Sequence, residues 1–250
     1  MKFLSFAFNA LVATAFAQEQ NKYTYERLNR KDAPHRDGGA NERQLVLVVD
    51  IQDGLFQLTR DTDPHLYKNS ALAHAELGKT FDIPVILTTS TETGPTGPLF
   101  QEIADQYPEA PFIKREGEIN AWDNAAFREA VTAANKTQII IAGIATDVCT
   151  TFLALSLREA GYSVWANGEA SGTYSTFVRD ISNTRMEKAG IQVVSFFAIV
   201  GELMRDHRGD ENGNYGAEKV NPLFTKFFPL LGILTRGHNA AVRNGTISPV

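Results

Sequence analysis

Residues 138–161, QIIIAGIATDVCTTFLALSLREAG, hold two patterns end to end. The first, QIIIAGI (138–144), is a short unbroken apolar run, the mark of a strand covered on both faces. The second, TDVCTTFLALSLREAG, repeats apolar residues at three- and four-residue intervals, the period of an amphipathic helix. The alternation continues in both directions. Further apolar runs are LVLVVD (45–50), PVILTT (84–89), PFIKR (111–115), YSVWA (162–166) and IQVVSF (191–196). Between them lie LYKNSALAHAELGKTF, PLFQEIADQY, DNAAFREAVTAAN and STFVRDISNTRMEKAG, each with helical spacing. Buried strands alternating with helices predict a parallel sheet with right-handed crossovers, a Rossmann-like three-layer α/β/α sandwich. The expected strand order is 3-2-1-4-5-6, with the domain spanning residues 44–208.

The segments flanking this domain read differently. The chain opens MKFLSFAFNALVATAFAQEQ: a lysine, an apolar stretch and the small-residue pattern Ala15-Phe16-Ala17 predict a secretory leader over residues 1–17, cleaved after Ala17. That stretch is too short for a membrane span of about 20 residues. Residues 18–43 are polar and without period, and are expected to form an arm. After about Gly209 the rhythm stops, and FTKFFPLLGIL in the tail (209–250) needs cover for its aromatics. Two readings stand: packing on its own domain, or packing on a neighbouring subunit of a homo-oligomer.

The net charge is −5, and about −6 without the leader's one lysine, too acidic and evenly mixed for a nucleic-acid binder. Cys149 is the sole cysteine, so no intrachain disulfide forms, and an exported free thiol calls for a reason. Asn135 and Asn244 stand in N-x-T sequons, acceptor sites for glycosylation in an exported eukaryotic chain. GxGxxG is absent after every expected strand, which argues against a dinucleotide cofactor.

In doubly wound sheets ligands bind outside the carboxyl ends of the strands. The first strand closes on Asp50, the third on Lys114-Arg115, and the fourth runs into GIATDVC. Cys149 lies near the start of the helix that follows, where Thr146 or Asp147 can cap and the positive helix end favours a thiolate. Val148, Phe152 and Leu155 form the expected core stripe of that helix, placing Cys149 one step off it; the competing reading is a buried packing cysteine. With strands one and four adjacent, Asp50 approaches Cys149 and can take its proton. The cation must reach across about 10 Å from strand three. Lys114 and Arg115 are both long enough, but neighbouring strand residues point to opposite faces, so one of them serves.

Here VVDIQDGL, KREGEINAWDNAAF and IIIAGIATDVCTTFLAL resemble the isochorismatase-like cysteine hydrolases, and NAWDN with TTSTETGPTGPL is similar to their YcaC-type branch. The resemblance covers about residues 43–208. It implies hydrolysis of amide or related C–N bonds in small molecules through a covalent intermediate, with Cys149 as nucleophile and Asp50 as general base. It also implies a cis Ile144-Ala145 peptide that turns the Ala145 N–H toward the site, where with the Cys149 N–H it forms an oxyanion hole. The family's usual lysine falls here on Arg115, with Lys114 one earlier; an arginine can orient but not shuttle a proton. Metal-binding members carry an Asp-x-His cluster after the second strand. This chain has no histidine there, and His35, His65, His74, His207 and His238 are scattered, so no metal is expected and these histidines are assigned to the surface or to helix faces. Phe56, Thr91, Glu92 and Trp122 fall on loops expected at the substrate-binding rim, Trp122 equally as a core or interface aromatic. Rival functions are a catalytically idle member of the fold serving as a binding protein, and cleavage of isochorismate, a vinyl ether.

Overall fold

β1 (Gln44–Val49) has the sequence QLVLVV, and every residue in it is buried. A strand covered on both faces belongs in the middle of its sheet. β2 (Val85–Ser90) pairs with it on one side and β4 (Gln138–Gly143) on the other, both parallel. β3 (Phe112–Arg115) lies outside β2, and β5 (Ser163–Asn167) and β6 (Gln192–Val194) extend the opposite side. The order is β3-β2-β1-β4-β5-β6, as the sequence predicts. The computed structural model describes residues 27–28, 43–208 and 216–246. The expected leader lies outside the described residues, as do His35 and all of the expected arm except Arg27, Leu28 and Arg43.

Alternation along β1 assigns the two faces. Val46 and Val48 enter one core with Tyr67, Leu77 and Phe81 of α2 (Pro64–Phe81), Ile199 and Leu203 of α7 (Phe196–Met204), and Val220 and Leu223 of α8 (Ala217–Phe227). Leu45, Leu47 and Val49 enter the other, with Phe127 and Val131 of α4 (Ala125–Ala133), Leu153 and Leu157 of α5 (Thr151–Glu159), and Met186 of α6 (Thr176–Lys188). The short helices α1 (Asp53–Phe56) and α3 (Gln101–Gln106) follow β1 and β2. The start of α2 is written locally: Pro64 opens it, and the Asp63 carboxylate accepts from the N–H groups of His65 and Leu66 at 2.9 and 3.1 Å.

The tail divides at Pro229. In α8, Val220, Leu223, Phe224 and Phe227 are buried in the domain's own core, and Lys219 and Lys226 pair with Asp82 and Glu76 of the α2 region at 2.8 and 2.9 Å. Phe228 precedes Pro229 and leaves the helical conformation, as residues before proline do. α9 (Pro229–Arg243) then leaves Leu230, Ile233 and Leu234 exposed. Leu28, from the expected arm, is fully buried in the same core, and the Arg27 carbonyl accepts from Gln138 Nε2 at 2.6 Å.

Of the surface and helix-face settings expected of the histidines, His74 takes the second, on the inward face of α2. It is fully buried on α2, where Nε2 donates to the Leu47 carbonyl at 3.0 Å and Nδ1 lies 3.4 Å from the Asn167 amide. Burial pushes its pKa from 6.5 down to about 4. Between those values the unfolded chain binds a proton that the folded chain excludes, so stability is lost as pH falls from 6.5 toward 4. Urea unfolding across that window should show a loss of about 3 kcal/mol traceable to this residue. His74→Gln should flatten the slope by that amount.

Candidate active site

Asp50 closes β1 with φ 52°, a left-handed conformation that aspartate tolerates, and is fully buried. Across β2 comes Arg115, the last residue of β3 and also buried. Its Nη2 donates to Asp50 Oδ1, Nε donates to Thr88 Oγ1 at 3.1 Å, and Nη1 donates to the Glu118 and Ile119 carbonyls. Thr88 sits on β2 in register with Val49, directly under the arginine's path, and passes its own hydroxyl proton to the Ile113 carbonyl at 2.9 Å.

Lys114 points the other way. Its side chain is 60% exposed, pairs with Glu92 at 2.7 Å and lies 4.9 Å from the Phe112 ring centroid. Of the two cations left open by the sequence, Arg115 is the one at Asp50, and Lys114 stands outside as a surface charge.

Cys149 completes the group. β4 ends at Gly143, where an added Cβ would fall 2.1 Å from the Val49 carbonyl, so only glycine lets β4 lie this close to β1. The Ile144-Ala145 peptide is cis. A π-helical turn, Thr146–Thr150, then carries Cys149 to the Asp50 carboxylate, near enough for each to shift the other's pKa. Asp50 Oδ2 is buried and has no fixed partner. The Ala145 carbonyl accepts from the N–H groups of Val148 and Thr150 at 3.2 and 3.1 Å.

This arrangement reverses the expected direction of the thiol's pKa. Burial and the Asp50 charge push it well above 9.0, against weaker opposition from Arg115. Neither Thr146 nor Asp147 caps: Ala145 is the N-cap, without a side-chain bond, and Asp147 instead accepts from Thr173 Oγ1 at 2.6 Å. The π turn also rotates the helix, so its buried stripe is Leu153, Ala154 and Leu157, and Phe152 and Leu155 are half-buried. Burial raises the Asp50 pKa too, despite Arg115. The resting pair is therefore a neutral thiol beside a carboxylate, one proton and one negative charge facing one guanidinium.

The expected rim residues have other contacts. Trp122 packs edge-on against Tyr162, 6.1 Å between centroids, at the amino end of β5, away from the carboxyl ends where Asp50 and Cys149 lie. Phe56 stacks on Tyr67 at 5.8 Å and meets Phe100 edge-on at 5.4 Å. Glu92 is held by Lys114 and by Thr89 Oγ1 at 3.0 Å, and Thr91 hydrogen-bonds the Arg115 carbonyl through its N–H at 2.9 Å. Two supporting residues escape a sequence reading. Thr88 is hidden in a run of similar residues, whereas Gln52, inside VVDIQDGL, is fully buried, a cost that for glutamine signals a structural task. Its Oε1 accepts from Ser90 N at 2.9 Å, and its Nε2 donates to Ser90 O and Gly97 O at 2.9 and 2.5 Å. Among the described residues no group of three or more His, Cys, Asp or Glu could hold a metal ion, and no helix is long and apolar enough to cross a membrane.

Residues 44–196 match the family model of the isochorismatase domain, and the chain belongs to that family of hydrolases. It is 46% identical over 189 residues to the probable hydrolase YcaC of Escherichia coli, spanning 76% of this chain and 86% of that one. The crystal structure of that gene product, described as an octameric hydrolase of unknown specificity, superimposes with a TM-score of 0.76 over 87% of this chain and 98% of that one. YcaC from Pseudomonas aeruginosa, solved with hexane-2,5-diol and covalent acrylamide, gives a TM-score of 0.77 at 40% identity, over 87% of this chain and 99% of that one. A more distant relative, the secreted isochorismatase effector Isc1 of Phytophthora sojae, is 22% identical over 171 residues, 65% of this chain and 77% of that one.

The neighbours Lys114 and Arg115 should respond oppositely to truncation. Arg115→Met leaves the Asp50 charge buried and unpaired and should lower unfolding stability by about 3–5 kcal/mol in urea titrations. Lys114→Ala, removing an exposed ion pair, should change it by less than about 1 kcal/mol.

Proposed function

We propose that the protein is an exported cysteine hydrolase acting on a C–N bond of a small, uncharged amide-like molecule. The observation that carries this is the buried Asp50 carboxylate set between Arg115 and the Cys149 thiol. Asp50 takes the thiol proton as sulfur attacks the carbonyl carbon, and the N–H groups of Ala145 and Cys149 receive the oxyanion. Asp50 then returns the proton to the leaving nitrogen. Water, deprotonated by Asp50, adds to the thioester and releases the acid and the free thiol. Arg115 stays charged throughout and holds Asp50 in place. Four of its five N–H donors are engaged with Asp50, Thr88 and two carbonyls, and its charge is already faced by Asp50, which favours a neutral substrate over a carboxylate-bearing one such as isochorismate.

Export is supported by the leader-like sequence of residues 1–17 and by the secreted relative, and nucleophilicity by the relative that carries covalent acrylamide. Assembly into a homo-oligomer is supported by the apolar residues exposed on α9 and by the octameric relative.

The test is a hydrolysis screen over small primary amides and hydroxamates, run beside iodoacetamide labelling of Cys149. Cys149→Ala should abolish turnover, and Asp50→Asn should slow both turnover and labelling at neutral pH by about 100-fold or more. Retained hydrolysis in Cys149→Ala would overturn the reading. The pH profile should fall on the acid side through a limb lying above 3.8, where Asp50 is protonated, and hold up to pH 9.0 because the thiol keeps its proton beyond that value.

A further inference from the structure

Tyr174, on the loop after β5, is placed by the residues around it. Gly172 N donates to the Gly143 carbonyl at 3.2 Å and Thr146 N donates to the Gly172 carbonyl at 3.0 Å, so the loop pairs in parallel with the chain entering the π turn. Thr173 is fully buried: its N–H and hydroxyl go to Asp61 and Asp147 at 3.0 and 2.6 Å, and its carbonyl accepts from Arg60 N at 2.8 Å. On the other side Ser175 caps α6, its hydroxyl accepting from Val178 N at 3.3 Å. Anchored on both sides, Tyr174 holds its ring half exposed. The phenol is near enough to Asp147 and Cys149 that their charges, together with burial, raise its pKa above 10.0, so it keeps its proton at neutral pH.

Among the described residues the Tyr174 hydroxyl has no hydrogen-bond partner. The residues expected at the rim are by contrast engaged: Thr91 and Glu92 with Arg115, Lys114 and Thr89, and Phe56 and Trp122 with other rings. The surroundings of the phenol are short of donors. Four of the five N–H groups of Arg115 are taken, and Asp147 accepts from Thr173 with no cation paired to it among the described residues. An N–H group entering here meets free oxygen lone pairs, whereas an anion meets the charges of Asp147 and Asp50. With the N–H groups of Ala145 and Cys149 receiving the substrate's oxygen, its nitrogen is the end still to be recognised.

We propose that Tyr174 is a specificity-determining residue whose hydroxyl oxygen accepts a hydrogen bond from the N–H of the scissile amide. The role rests on Cys149 being the nucleophile, and it narrows the substrates to amides with an unsubstituted nitrogen. A dialkylated nitrogen brings no donor and leaves the phenol oxygen covered but unpaired.

The experiment measures protection of Cys149 in the full-length protein against iodoacetamide by two intact amides, butyramide and N,N-dimethylbutyramide. Cys149 is the sole cysteine, so its adduct is read directly by mass spectrometry. In the wild type, butyramide should protect at a concentration about fivefold lower than N,N-dimethylbutyramide. Tyr174→Phe keeps the ring, loses only an oxygen without a partner, and should fold. It should raise the butyramide concentration needed by about fivefold and leave that of N,N-dimethylbutyramide unchanged. Equal protection by the two amides in the wild type, an undiminished preference in Tyr174→Phe, or no protection by butyramide would each overturn the proposal while leaving Cys149 reactive. A Cys149 that iodoacetamide does not label at all would overturn the catalytic reading and this role with it, which keeps the two failures apart.

Discussion

A guanidinium shut away from water against a carboxylate is the constraint on which the rest of the site depends. Arginine cannot shed its charge, so the donors of Arg115 have to find partners where the sheet places them. Asp50 meets one, the Thr88 hydroxyl a second, and the chain after β3 doubles back so that the Glu118 and Ile119 carbonyls meet two more of the five. β2 must lie between β1 and β3 for this to work, and it must bring a small hydroxyl residue directly beneath the arginine. The order of the sheet and the chemistry of its edge are thus one requirement.

The turn after β4 answers a different requirement, that of bringing a sulfur to that carboxylate without opening the core. Gly143 lets the two central strands approach, and the π turn is secured from outside by Thr146 N donating to the Gly172 carbonyl at 3.0 Å and by Asp147 accepting from Thr173. Those partners stand on the loop after β5, and Thr173 is in turn held by Asp61. Segments after three neighbouring strands, β1, β4 and β5, therefore fix one residue's position. Tyr174, next along and half exposed, has its phenol pKa raised by burial and by Asp147 and Cys149, so this loop also borders the sulfur.

What the sequence made legible was what periodicity encodes. Unbroken apolar runs such as LVLVV admit a single interpretation, and the sheet follows from them. Period two says that Lys114 and Arg115 face apart, but not which of them faces in; that depends on register with β2, which no local pattern carries. The helix stripe drawn through Val148, Phe152 and Leu155 failed because the π turn shifts the phase of everything after it, and nothing in TDVCT marks that extra residue. His74 was assigned to an exposed or helix-face setting because histidine usually sits in one; its burial rests on a carbonyl of β1 and an amide of β5, both distant in sequence. In the tail the apolar content was plain, yet only Pro229 divides what α8 buries from what α9 exposes.

Gln52 shows how the central strand can release Asp50 without loosening the sheet. Val46 N bonds Pro84 O and Asp50 N bonds Thr88 O, so the next rung of the ladder would join Gln52 N to Ser90 O. The main chain has already turned aside, with Gln52 N donating to Asp50 O at 2.8 Å, and the Gln52 side chain supplies the missing rung to both the N–H and the carbonyl of Ser90. A carboxamide has the same donor and acceptor as a peptide group, and here it stands in for one. β2 therefore meets an uninterrupted hydrogen-bonding edge one step beyond the point where β1 has ended. The backbone at Asp50 is left free to follow the geometry of the reaction, since the sheet's geometry is maintained by a side chain.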